Sequence, residues 1–150
     1  MIEKILAPID GSAHSDNALV YALDLAEKYS AEITILTVIE PVILPGPVFV
    51  NEPSIMPPSQ FDYQKNIQNL HEKMLEETFK KISKAHPELK IKKQHRIGRP
   101  ADEIIEIANK EKFDLIVIGS RGRGKIKEFF LGSVSDRVAD SAKCPVLIVK

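Results

Sequence analysis

A chain of 150 residues is long enough to bury an independent core, and the expectation is one domain over residues 1–150. Its 21 basic and 21 acidic side chains cancel, which removes the global positive field that nucleic-acid binding draws on, and no apolar run approaches the roughly 18 residues of a membrane span. A single cysteine excludes an internal disulfide, and the opening MIEKILAPID is too short and too charged for a secretory signal; the expected location is the cytoplasm.

Taken in order, Lys4 to Ile9 reads as an apolar first strand. Asp10-Gly11-Ser12 then turns the chain into a helix that Ser12 can cap, with Leu19, Ala22, Leu23 and Ala26 on one face at helical spacing. Glu32 to Ile39, rich in Ile, Thr and Val, is the second strand. The segment from Pro41 to Pro58 holds six of the ten prolines and sustains neither periodicity, so 41–59 is expected to be a long irregular loop. From Gln60 to about Lys84 the positions Ile67, Leu70, Met74, Phe79 and Ile82 describe a long amphipathic helix. His71-Glu72 begins like a zinc-protease motif but lacks the second histidine, and His71 is read as a surface or edge residue.

Ile91 to Ile97 is a polar third strand, stopped by Gly98-Arg99-Pro100, and Pro100 opens a third helix carrying Ile104, Ile107 and Ala108. Asp114 to Ile118 is a fourth strand of the kind that parallel sheets cover on both faces. A last helix from Ser133 to about Ala142 leads to a fifth strand, Pro145 to Val149. Cys144, in an apolar setting with no histidine near it in sequence, is expected to be a buried, inert thiol. Strands alternating with helices argue for an α/β architecture with a parallel sheet, and right-handed crossovers leave the orders 3-2-1-4-5 and 2-1-3-4-5 open.

The chemistry concentrates between the fourth strand and the last helix. Gly119, Gly122 and Gly124 are expected to let the main chain take positive φ and approach a ligand closely. Ser133 to Asp136 fits a capping box, so a helix N-terminus with free N–H groups faces the glycine loop and suits an anion. The run Gly119 to Lys125 imitates a Walker loop, but Ile126 stands where the magnesium-binding hydroxyl belongs, and a dinucleotide GxGxxG is absent. Arg121, Arg123, Lys125 and Lys127 are either a solvated loop or a charge complement for phosphates.

Gly119-x-x-Gly122, nine residues, then Gly132-Ser133 resembles the nucleotide-binding signature of the universal stress protein family, in its ATP-binding branch. The resemblance extends over nearly the whole chain, through PIDGS, TVIE, GRPADEII and the closing CPVLIV. It implies a five-stranded sheet of order 3-2-1-4-5 with helices on both faces, Rossmann-like and akin to the adenine nucleotide α-hydrolases. It also implies ATP across the crevice beyond strands one and four, with Mg²⁺ only as the companion of the triphosphate. Pro8, Ile9 and Asp10 would line the base and ribose side, with Val38 main-chain groups reading the adenine edge and Ile118 near the sugar. Gly119 and Gly122 would bring N–H groups to the phosphates, and Gly132, Ser133 and Val134 would close that site. Arg121 occupies a position that the family fills variably.

No general base is identifiable beside the glycine loop, and His14 is read as an exposed helical residue rather than a catalyst. Binding is therefore favoured over turnover, in a regulatory or stress-response role with slow hydrolysis at most. The rival readings are an ATPase or nucleotidyl-transfer enzyme using the same crevice and a nucleotide-independent interaction module. For association, the third strand blunts its edge with Lys92, Lys93, Gln94 and Arg96, whereas the fifth leaves an apolar edge. A two-fold homodimer through antiparallel Val146–Val149 is expected, as the family usually associates, together with a protein partner that the sequence leaves unidentified.

Overall fold

The computed structural model describes residues 1–43, 60–122 and 131–150, and the expectations for 44–59 and 123–130, Gly124, Arg123, Lys125 and Lys127 among them, lie outside the described residues. The elements are β1 (Lys4–Pro8), α1 (Ala13–Tyr29), β2 (Glu32–Ile39), α2 (Gln60–Ala85), β3 (Ile91–Ile97), α3 (Pro100–Lys110), β4 (Leu115–Gly119), α4 (Ser133–Ser141) and β5 (Val146–Val149). The strands form one parallel sheet in the order β3-β2-β1-β4-β5.

The period-two geometry of the strands sorts the core into two layers. Ile5, Ala7, Ile33, Ile35, Leu115 and Val117 pack with Leu19, Ala22, Leu23 and Ala26 of α1 and with Leu75 and Ile82 of α2. Leu6, Leu36, Ile116 and Ile118 pack on the opposite face with Ala101, Ile104, Ile107 and Ala108 of α3 and Val138 of α4. Both faces are covered, which is why β4 reads as an unbroken apolar run, and each large side chain so buried contributes about 1.5–3 kcal/mol. The polar strand β3 and the short strand β5 lie at the two edges.

Two details of α2 differ from the sequence pattern. Leu70 is 66% exposed, and Leu75 takes its place in the core at 4%. The stripe is narrow because α2 covers only β2 and β3, so a residue a quarter-turn off the contact line faces water. His71 is half-buried rather than on the surface, its Nδ1 3.2 Å from Oγ1 of the fully buried Thr37. Cys144 is half-buried rather than fully so, and burial raises its thiol pKa above the ordinary value.

Candidate functional site

The order of the sheet reverses at β1, whose neighbours β2 and β4 are followed by helices on opposite faces, and the carboxyl ends of the strands part there. The opening is a crevice of about 300 Å³. Pro8 at the end of β1 and Ile9 and Asp10 after it line one part, with Val38 from β2; Ile118, Gly119, Arg121 and Gly122 come from the end of β4 and the loop after it, and Gly132, Ser133 and Val134 from the start of α4. All eleven residues named from the sequence therefore border one cavity. Ser15, Leu36, Glu40, Pro100, Ile104 and Ser135 border it as well and were not assigned to it. Pro100 and Ile104 belong to α3, which reaches the crevice only through tertiary packing; for Glu40, the end of the TVIE segment was the available signal.

Asp10 is held by the turn that starts α1. Its Oδ1 accepts the N–H of Ser12 at 2.9 Å, while Ser12 as N-cap accepts the N–H of Ser15 at 3.2 Å. The positive φ of this region, +76°, falls at Gly11. Gly119 and Gly122, where positive φ was expected, do not adopt it; what they supply is space. A Cβ on Gly119 would lie 2.7 Å from the main-chain carbon and oxygen of His14 and 2.9 Å from the nitrogen of Ser15, so the bare strand end lets the tip of α1 settle directly on β4. On Gly122 it would lie 2.7 Å from Oδ2 of Asp10, and the glycine keeps this carboxylate against the loop.

The start of α4 also differs from the sequence reading. Its N-cap is Gly132, not Ser133, and no side chain caps it among the described residues. The capping-box serine fails because Ser133 already has helical geometry as the first residue of α4. The Gly132 amide is committed to the Ser120 carbonyl at 2.8 Å, and the Ser135 hydroxyl, 2.9 Å from the carbonyls of both Ser120 and Gly132, acts as a donor. The amides of Ser133, Val134 and Ser135 have no intrahelical acceptor, as in any first turn, and they border the crevice at the positive end of the helix. His14 is half-buried rather than exposed; its Nδ1 lies 3.4 Å from Oγ of the buried Ser120, and it does not border the crevice.

The arrangement combines an apolar slot of Leu36, Val38, Ile104 and Ile118, the Asp10 carboxylate, and a cluster of peptide donors with Arg121 beside them. A flat apolar group, a hydroxylated linker and an anion fit these parts in that order. The fold and crevice define a doubly wound α/β protein with a crevice at its topological switch point.

A family model described as "Universal stress protein family" matches residues 1–150, and the chain belongs to this family. Universal stress protein YxiE of Bacillus subtilis is 36% identical, the match covering both chains in full. Hypothetical protein MJ0577 of Methanocaldococcus jannaschii has a solved structure 30% identical to this chain, with a TM-score of 0.75 over 100% of this chain and 96% of that one. A universal stress protein solved in complex with cAMP is 26% identical, with a TM-score of 0.66 over 99% of this chain and 97% of that one. Among the described residues no helix is long and apolar enough to cross a membrane.

Proposed function

We propose that the crevice binds an adenine nucleotide, ATP first, and that the protein is a cytoplasmic nucleotide-dependent regulator of the stress-response type with slow hydrolysis at most. The observation that carries this reading is the pairing of an apolar slot with the uncapped amides of α4 in one cavity of about 300 Å³. The cAMP complex of a related protein is consistent with it. The base lies in the slot, Asp10 meets the ribose hydroxyls, and the phosphates meet the tip of α4. Mg²⁺ enters with the triphosphate. Its charge serves the phosphates.

The test is mass spectrometry of small molecules extracted from the purified protein, followed by calorimetric titration with ATP, ADP, AMP, cAMP and GTP. Micromolar binding of adenine nucleotides with weaker GTP supports the reading, and no binding at millimolar concentration removes it. Phosphate release well above about one per minute, far slower than ordinary enzymes at about 10 per second, would replace the regulator with an enzyme.

The apolar edge of β5, where Leu147 is 37% exposed, supports the companion proposal of a two-fold dimer through antiparallel Val146–Val149. A monomer mass in sedimentation at micromolar concentration would overturn it.

A further inference from the structure

The tip of α4 is unusual in how its hydroxyl is used. A serine in the first turn of a helix can fold its oxygen back as an acceptor for a neighbouring amide, which closes the anion site from within. Ser135 does the opposite. It is 2% exposed, and its Oγ is directed at two carbonyl oxygens, those of Ser120 and Gly132, each at 2.9 Å. Carbonyls only accept, so the hydroxyl donates to them, its single proton shared between the two or given to one. The Ser120 carbonyl also accepts the Gly132 amide at 2.8 Å, and the Ser120 amide donates to the Val149 carbonyl at 2.7 Å. The end of β4 is thereby tied on one side to β5 and on the other to the helix tip, twice.

We infer that Ser135 is a positioning residue for the phosphate end of the crevice: by donating to the Ser120 carbonyl it holds the tip of α4 against β4 with the Ser133 and Val134 amides directed at the ligand. This rests on the nucleotide reading above. Its consequence is selective. The base slot, built from Leu36, Val38, Ile104 and Ile118, receives nothing from this hydroxyl, so its loss weakens the grip on phosphate and leaves the grip on the nucleoside intact. The change leaves no orphaned acceptor, because the Ser120 carbonyl keeps the Gly132 amide.

The experiment is calorimetric titration of wild type, Ser135→Ala and Ser135→Thr with adenosine, AMP and ATP, each protein also followed by thermal melting. Thr keeps a hydroxyl on the same Cβ, able to donate to the Ser120 carbonyl. Ser135→Ala is expected to bind AMP and ATP about five-fold more weakly, the effect of one net hydrogen bond, with adenosine unchanged within about two-fold. Ser135→Thr is expected to recover the phosphate-dependent part. Equal weakening of adenosine and nucleotides in Ser135→Ala would show general loosening and overturn the inference, as would no change in either. If Thr is folded but binds phosphate no better than Ala, the hydroxyl is not the cause. Wild type that binds none of the three ligands would instead remove the nucleotide reading, a failure distinct from these.

Discussion

Among the helix N-termini at the crevice, the sequence treats those of α1 and α4 oppositely. The tip of α1 is closed by its own side chains: Ser12 accepts the Ser15 amide, and Asp10 accepts the Ser12 amide. The tip of α4 starts on a glycine, and its nearby hydroxyl is turned to carbonyls instead of amides. Each exposed favourable contact of an anion with such an open tip contributes about 0.3–1 kcal/mol. A closed tip is a structural part, here the anchor of α1 on β4; an open tip is a binding surface whose missing partner the solvent or a ligand must supply. The contrast explains why glycine recurs in this region for different reasons. Gly119 serves the closed tip, by admitting the His14 main chain, and Gly132 serves the open one, by bringing no cap.

The largest expected effect breaks the closed side. Gly119→Val places branched carbon where the His14 and Ser15 main chains lie within 3 Å, and backbone cannot rotate away as a side chain can. The loss is expected to reach about 3 kcal/mol, seen as a lower urea midpoint, with nucleotide affinity falling only as a consequence of lost folding. A stable Gly119→Val protein lacking only ligand binding would mean that Gly119 serves the ligand and not the helix.

The next effect closes the open side. Gly132→Asp supplies the side-chain cap that α4 lacks among the described residues, at φ −65° and ψ 151°, a conformation open to any residue, with a Cβ 3.3 Å from the Arg121 Cα and the Ser120 carbonyl oxygen, so that the loop must give by a few tenths of an ångström. Stability is expected to fall by no more than about 1 kcal/mol, because glycine is itself a tolerable N-cap and the new cap offsets only part of the tight contact. ATP affinity is expected to fall at least about ten-fold, roughly 1.4 kcal/mol, since the carboxylate takes the amides and repels phosphate. Calorimetry and urea unfolding on the same preparation separate the two numbers. Undiminished ATP affinity would show that the phosphates lie elsewhere.

Much of this geometry was legible in the residues. Strand and helix bounds came within a residue or two, because apolar spacing and the caps at Ser12 and Pro100 are local signals. The strand order rested on the family resemblance, since periodicity alone leaves two topologies. The site was legible where it follows the chain, at Asp10 and Gly119, and illegible where side chains choose among partners. Ser133 fits a cap by its spacing to Asp136, and nothing in the sequence singles out Ser135. What Ser135 bonds is decided by the Ser120 carbonyl, fifteen residues away in sequence. Likewise nothing local marks Gly122 as the neighbour of Asp10, or sets Leu70 in water and Leu75 in the core.

A smaller effect tests the closed tip by its cap. Ser12→Ala removes the acceptor for the Ser15 amide and is expected to lower stability by about 1 kcal/mol in urea unfolding. Because Ala13 and His14 of the first turn of α1 do not border the crevice, the ATP affinity of the folded protein should stay within about two-fold. A larger drop in affinity than in stability would show that the two tips are coupled through Asp10.

The smallest effect lies at the opposite end of the sheet, where charge is paired instead of offered. Glu32 is only 10% exposed at its side chain, and burial alone would raise its pKa; Lys90 and Lys92 bond it, the latter at 2.8 Å, and together they hold it below the ordinary value of 4.5. A carboxylate depressed by folding adds stability that is present above its unfolded pKa and is lost as pH falls through the folded one. Both lysines are largely in water, which limits the contribution to the range of surface pairs, under about 1 kcal/mol. Glu32→Gln should therefore be slightly less stable than wild type at pH 7, and the difference should close as pH drops below 4.5 and shrink in high salt. Nucleotide affinity should not move at all, because Glu32 sits where β2 begins and the crevice opens where it ends. A stability gap that persists unchanged at low pH would show that Glu32 acts by packing rather than by charge.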